Sequence, residues 1–192
     1  TLFPYPTLFR SSRQLGPHSG KATDFGSFDE LFQAFRLQLR HFVDIKVRGN
    51  QIIEQLYAKQ MPVPFLSVVV DDCIAKGQDY NAGGARYNTS YIQGVGIGTL
   101  TDSLAAIKFN VFDQQRFSMD ALLQALGSDF ASNEVIYHLV REKTPKYGND
   151  DDYADELMKL AFNAYHAEVT GRPNGLGGTY RIDMLPTTCH VY

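Results

Sequence analysis

Residues 83–108 read GGARYNTSYIQGVGIGTLTDSLAAIK, and how this stretch folds decides the fold class. Ala85 to Ile97 reads as a strand, with polar side chains at Tyr87, Asn88, Thr89, Ser90 and Gln93. Thr101 and Asp102 then sit where a cap belongs, ahead of the helical run SLAAIKFNVF. Between them lies Gln93-Gly94-Val95-Gly96-Ile97-Gly98. A glycine-rich turn feeding a helix N-terminus is the arrangement that cradles phosphate groups. Here the spacing fits neither standard nucleotide fingerprint, and no Lys directly follows the last glycine. The competing reading is a tight strand-to-helix turn whose glycines admit a neighbouring backbone.

Upstream, Ser27 and Glu30 form a capping-box pattern. Phe28, Leu31, Phe32, Phe35, Leu39 and Phe42 then recur at steps of three and four, one apolar stripe on a helix. The pattern continues through Ile45, Ile52, Ile53 and Leu56, with Gly49 as a weak point, until Pro62 and Pro64 stop it. The run Phe65 to Val70 is continuous, apolar and rich in β-branched residues, so it predicts a strand covered on both faces. Downstream, Ser118 caps MDALLQALGSDF, Asn133 starts EVIYHLVREK, and Pro145 breaks it. Asp150 to Asp152 lead a helix that Gly171 follows. A glycine-rich loop, Asn174 to Gly178, precedes a final strand candidate, Tyr180 to Val191.

Strands alternating with single or paired helices predict an α/β protein with parallel pairing. Three strand candidates are too few to cover one another, so the chain reads as part of a larger fold. Its 192 residues carry 18 Lys and Arg against 21 Asp and Glu, a balance that leaves no basic footprint for nucleic acid. No apolar run approaches the length of a membrane span. The two cysteines, Cys73 and Cys189, form no zinc pattern and point to a reducing compartment, hence a cytoplasmic location.

Three polar groupings invite chemistry. Asp71-Asp72-Cys73 stands at the end of the Phe65–Val70 run, where carboxylates line sites or simply cap a turn. Asp150-Asp151-Asp152 lacks the alternation and terminal Glu of a calcium loop, and acids in a helix's first turn require no metal. Thr187-Thr188-Cys189-His190 would present hydrogen-bonding groups alternately to two faces of a strand, into a lumen or cleft, or to solvent at a sheet edge.

GGARYNTSYIQGVGIGTLTDSLAAIK (83–108), TPKYGNDDDYADELM (144–158) and LPTTCHVY (185–192) come in the order seen in glycyl radical enzymes, the pyruvate formate-lyase-like superfamily. The resemblance runs from about Gln14 to Tyr192. NTSYIQGVGIGT and PTTCHVY are most similar to the trans-4-hydroxy-L-proline dehydratase branch. The alternatives within the superfamily are pyruvate formate-lyase itself, a glycerol or propanediol dehydratase, or a choline-type lyase. A small nucleotide-binding module using Gly94–Gly98 is the alternative from another class.

The resemblance implies a partial glycyl radical enzyme barrel: part of a ten-stranded α/β barrel, two halves of five strands, wrapped by helices. It implies a parent enzyme, a C–O lyase acting on a small hydroxylated substrate in anaerobic metabolism and working as a homodimer. No cofactor is bound directly. A radical-activating enzyme, using S-adenosylmethionine and an iron–sulfur cluster, installs a radical on a glycine of the parent. That radical makes a cysteine thiyl, which abstracts a substrate hydrogen, and a neighbouring carboxylate then helps the hydroxyl leave as water.

The Gly-Cys-x-Glu loop of the thiyl cysteine is expected upstream of Gln14, and the Arg-Val-x-Gly-Tyr stretch of the radical glycine beyond Tyr192. Neither occurs here, and Cys73 and Cys189 match other positions. The residues carried over are Thr187, Thr188 and His190 as substrate-binding groups, Thr188 or His190 meeting a substrate carboxylate or amine. Thr1 to Ser11 matches the translation of a common sequencing-adapter primer except at Pro6. Residues 1–11 are therefore expected to be non-native, and 12–192 an internal segment of the barrel domain that is inactive alone.

Overall fold

The computed structural model describes residues 15–184. In chain order it has α1 (Phe28–Gln60), α2 (Pro64–Val69), α3 (Cys73–Lys76), β1 (Ser90–Gln93), α4 (Ile97–Ile107), α5 (Met119–Gly127), α6 (Glu134–Glu142), α7 (Asp152–Val169) and β2 (Tyr180–Asp183). Two compact units divide these residues: 15–39 with 96–164, and 40–95 with 165–184.

In the first unit the Phe28–Phe35 part of the predicted stripe becomes the core, whereas Phe42, Ile45, Ile52, Ile53 and Leu56, further along α1, are exposed. Phe28, Leu31, Phe32 and Phe35 are buried with Leu104 and Ala105 of α4, Met119, Leu122 and Ala125 of α5, Ile136 of α6, and Leu157 and Ala161 of α7. The cap forms as read: Ser27 Oγ accepts the Glu30 N–H at 3.3 Å. The Glu30 carboxylate reaches one residue further back than the standard box and accepts the Gly26 N–H at 2.8 Å.

Helix α4 starts at Ile97, a turn before the expected Thr101–Asp102 cap. Gly96 adopts a φ of +85° there, which lets the chain turn directly into the helix. Thr101 is consequently fully buried, and Asp102 Oδ1 accepts the Tyr147 N–H at 2.9 Å instead of capping. The run continues as a π-helix over Lys108–Asp113. Asn110 is buried at its centre, where Nδ2 donates to the Ala106 carbonyl at 2.9 Å and to Thr144 Oγ1 at 2.8 Å. A side-chain amide on the carbonyl one turn back competes with the regular ladder, which favours the wider turn.

In the second unit the strand expected over Phe65 to Val70 is the helix α2. Pro64 occupies its first turn, where a missing N–H costs nothing. Asp79 holds that turn, accepting the Val63 N–H at 2.9 Å and the Ser67 hydroxyl at 2.8 Å. Hydrogen bonding to Asp79 thus overrides β-branched propensity. Nor is the run covered on both faces: Phe65, Val68 and Val69 are 86%, 64% and 67% exposed.

The strand expected over Ala85 to Ile97 shrinks to Ser90–Gln93, because the Asn88 side chain donates to the carbonyls of Gly83 and Ala85 and keeps the approach irregular. The parallel pairing holds. Ser90, Tyr91, Ile92 and Gln93 lie beside Tyr180, Arg181, Ile182 and Asp183 respectively.

Helix α1 runs through Gly49 without interruption. A Cβ at Gly49 would meet nothing within 4 Å, and its backbone is outside the left-handed region. Gly49→Ala is therefore expected to stabilise the chain by about 0.5–1 kcal/mol, through propensity and a stiffer unfolded state. A rise in urea midpoint at unchanged slope is the check.

Candidate active site

The short parallel pair presents two chemically different faces. Side chains alternate along a strand, and register partners in a parallel pair share a side. Ser90, Ile92, Tyr180 and Ile182 form one face, with Ile92 and Tyr180 buried. Tyr91, Gln93, Arg181 and Asp183 form the other. Of these, Tyr91, Gln93 and Arg181 are exposed and Asp183 is half-buried. Tyr91 stands beside Arg181, and Gln93 beside Asp183. A phenol, an amide, a guanidinium and a carboxylate on one small surface can orient a polar molecule through donors and acceptors of both charges.

The covered face is fixed by a polar network. Glu54 Oε1 accepts the Ser90 hydroxyl at 2.5 Å and the Tyr180 hydroxyl at 3.3 Å, while Oε2 accepts the Gly175 N–H at 2.6 Å. Asn174 Nδ2 donates to the Asn88 carbonyl at 2.7 Å and to Ser90 Oγ at 2.9 Å. Its Oδ1 accepts the N–H groups of Leu176 at 3.1 Å and Gly178 at 2.7 Å. From α7, Tyr165 donates to the Ile92 carbonyl at 2.8 Å. Burial, reinforced by the neighbouring Glu54 carboxylate, pushes the Tyr180 phenol up to about 12. Burial and the Asp183 charge push Tyr165 up to about 12 as well. Both phenols therefore remain donors throughout the physiological range.

The glycine-rich turn belongs to this packing. A Cβ on Gly94 would stand 2.5 Å from Met184 Sδ and 2.9 Å from the Tyr165 ring. The glycine thus admits side chains, not the neighbouring backbone that the sequence suggested, and its N–H donates to the Asp183 carbonyl at 2.7 Å. Backbone approach of that kind occurs elsewhere, where a Cβ on Gly83 would meet the Leu176 carbonyl oxygen at 2.5 Å.

Asp71-Asp72-Cys73 resolves into structure. Arg86 grips Asp72 in a two-pronged pair, Nη2 to Oδ1 at 2.8 Å and Nε to Oδ2 at 3.2 Å, with Asp71 at 3.6 Å. Those Arg86 hydrogen bonds hold the Asp72 carboxyl below its ordinary range. Cys73 is 2% exposed. In the other acidic run, Asp151 Oδ1 accepts the Tyr153 N–H at 3.0 Å at the start of α7. Among the described residues no group of three or more His, Cys, Asp or Glu is arranged to hold a metal ion.

Thr187, Thr188, Cys189 and His190 lie outside the described residues. The sequence reading picked out Gln93 as polar but missed Tyr91, Arg181 and Asp183. The signal was the alternation in SYIQ and YRID, too short to register beside the longer apolar runs.

The chain is 62% identical over 182 residues to trans-4-hydroxy-L-proline dehydratase of Clostridioides difficile, covering 95% of this chain and 23% of that protein. It is 38% identical over 182 residues to (2S)-3-sulfopropanediol dehydratase of Klebsiella oxytoca, covering 94% and 22%. Among solved structures, it superposes at a TM-score of 0.88 on the Clostridioides difficile hydroxyproline dehydratase with trans-4-hydroxy-L-proline bound, at 62% identity, covering 92% of this chain and 22% of that one. The B12-independent glycerol dehydratase of Clostridium butyricum gives 0.87 at 36% identity, covering 94% and 23%. The chain spans less than a quarter of the length of these relatives. Its fold is accordingly a part of the glycyl radical enzyme barrel, helix-dominated and with a small sheet. Motif order, parallel strands and superposition agree, and a family model, pyruvate formate lyase-like, matches residues 8–192: the chain belongs to that family of glycyl radical enzymes.

Proposed function

We propose that residues 12–192 are an internal segment of a glycyl radical dehydratase, a C–O lyase whose substrate is a small hydroxylated molecule such as trans-4-hydroxy-L-proline. The observation that carries this reading is the 62% identity, over 95% of the chain, to the Clostridioides difficile dehydratase of that name. The step down to 38% for the sulfopropanediol enzyme and 36% for the glycerol enzyme favours the hydroxyproline branch over its neighbours.

In the whole protein a cysteine thiyl takes a hydrogen atom from the substrate, and a carboxylate beside it helps the hydroxyl depart as water. Both groups belong to parts of the parent outside this chain. The contribution of this segment is binding and orientation. The face carrying Tyr91, Gln93, Arg181 and Asp183 would line the substrate side of the barrel, and Thr188 or His190 would meet the substrate's carboxylate or amine. Arg181 and Asp183 are complementary to the two charges of an amino acid, which glycerol lacks. The parent would be a cytoplasmic homodimer primed by a separate activating enzyme that uses S-adenosylmethionine and an iron–sulfur cluster. Among the described residues no helix is long and apolar enough to cross a membrane.

The test is anaerobic assay of the full-length protein after activation, with trans-4-hydroxy-L-proline, glycerol and propanediol offered separately and the glycyl radical counted by electron paramagnetic resonance. Dehydration of hydroxyproline is expected, with at least tenfold preference in kcat/KM over the diols, because unpaired charges in a site built for them disfavour uncharged substrates. Preference for a diol would overturn the assignment. The 192-residue chain alone is expected to show no turnover, and any hydroxyproline dehydration by it would contradict the reading.

A further inference from the structure

The β1–β2 pair is only four residues long on each side, and so short a ladder specifies its own register weakly. A slip of one residue would turn Arg181 and Asp183 to the covered face and bring Tyr180 and Ile182 out. Something must hold the first rung. Ser90 and Tyr180 are that rung, and Glu54 bonds both hydroxyls through one oxygen while its other oxygen holds Gly175 in the loop before β2. One turn earlier on α1, Gln51 Nε2 donates to the Pro173 carbonyl at 2.9 Å, so the same helix face grips the start of that loop. Two nearby carboxylates of this unit are matched to cations, Asp44 to Arg172 and Glu168 to Arg40. The three contacts of Glu54 are instead neutral donors from three separate segments, an arrangement that fixes geometry through charge-assisted hydrogen bonds.

We propose that Glu54 is a positioning residue: by pinning the Ser90–Tyr180 rung it locks the strand register that sets Tyr91, Gln93, Arg181 and Asp183 toward substrate. The rung residues immediately precede Tyr91 and Arg181, so any freedom at Glu54 is inherited by the polar face one bond later. The inference rests on the dehydratase reading for its substrate, though not for the lock itself.

Two measurements separate these. On the 192-residue chain, amide exchange is followed by NMR in wild type, Glu54→Gln and Glu54→Ala. The Gly175 amide, the Gly94 amide on the Asp183 carbonyl and the Ser90 amide on the Thr179 carbonyl are the reporters. Exchange at these sites is expected to quicken about tenfold or more in Glu54→Ala and less in Glu54→Gln, with α5 amides unchanged. Tyr180 in Glu54→Ala should also titrate closer to the ordinary tyrosine range.

In the activated full-length protein, Glu54→Gln is expected to raise KM for hydroxyproline about tenfold with kcat within about twofold and radical content intact. Unchanged reporter exchange, or a uniform rise across every amide, overturns the register lock. Unaltered KM in an active enzyme overturns its link to substrate. Wild-type protein inert toward hydroxyproline would sink the dehydratase reading and the substrate link together, while the exchange data still decide the lock.

Discussion

Gly178→Ala is expected to destabilise this chain by about 3 kcal/mol or more, a large effect for a single added methyl group. A Cβ at Gly178 would overlap the Asn88 carbonyl oxygen and stand 2.6 Å from the Asn88 carbonyl carbon. The atoms in the way are backbone, which cannot rotate aside as a side-chain tip does. Asn88 is also held from three directions. Its carbonyl accepts Asn174 Nδ2, and its side chain donates to Gly83 and Ala85. Gly178 has no room to retreat either, since its N–H donates to Asn174 Oδ1 at 2.7 Å and its carbonyl accepts the Asn174 N–H at 3.0 Å.

Neighbouring Gly177 provides the control. Its φ is +80° but a Cβ there meets nothing within 4 Å, so Gly177→Ala should cost only the left-handed penalty of about 1–2 kcal/mol. Urea unfolding of both variants side by side makes the comparison, and equal losses would show that the loop relaxes around the Gly178 methyl.

The contrast between these two glycines marks the limit of what the sequence made legible. Glycine clustering over Asn174–Gly178 announces a loop, but composition does not separate a glycine needed for its dihedral from one needed for a close approach. The same limit appears at Gly94, whose neighbours Met184 and Tyr165 are remote in sequence. What could be read was local. The α1 stripe from Phe28 to Phe35, the Ser27 cap and the Ser118 cap depend on residues within a turn or two, and all three formed.

Phe65 to Val70 failed as a strand because the group that decides it is Asp79, reaching back across the chain to Val63 and Ser67. Parallel pairing of β1 and β2 could be inferred from strand and helix order. Their register could not, because it is written in Glu54 and Asn174, a helix residue and a loop residue that no periodicity links. The candidate site inherits that gap. Arg181 and Asp183 become a face only when the rung that precedes them is fixed.

Asn174→Ala is the other substitution expected to cost about 3 kcal/mol, through a different route. Asn174 is 9% exposed and all of its side-chain capacity is engaged: Nδ2 serves Asn88 and Ser90, and Oδ1 serves Leu176 and Gly178. Backbone N–H groups can only donate, so the two amides fix which end of the side chain is oxygen. Truncation strands two donors and two acceptors in a partly covered site, at about 1–3 kcal/mol for each group that water fails to reach.

Asn174→Asp sharpens the test. It keeps both acceptor contacts but sets a second oxygen against the Asn88 carbonyl and near the Glu54 carboxylate. Ionisation is then opposed, so the new carboxyl should titrate above its unfolded value. The deficit is largest at neutral pH and shrinks as pH falls through the raised value, where the protonated acid can donate to Asn88. Chemical denaturation of wild type, Asn174→Ala and Asn174→Asp at pH 7.5 and about pH 5 reads this directly. Asn174→Ala should lose similar stability at both, whereas Asn174→Asp should recover at the lower pH. Parallel behaviour of the two variants would mean that the amide's donor end contributes nothing. A Gly178→Ala, Asn174→Ala double variant should lose less than the sum of the two, because each change releases the same hydrogen bond between Gly178 and Asn174.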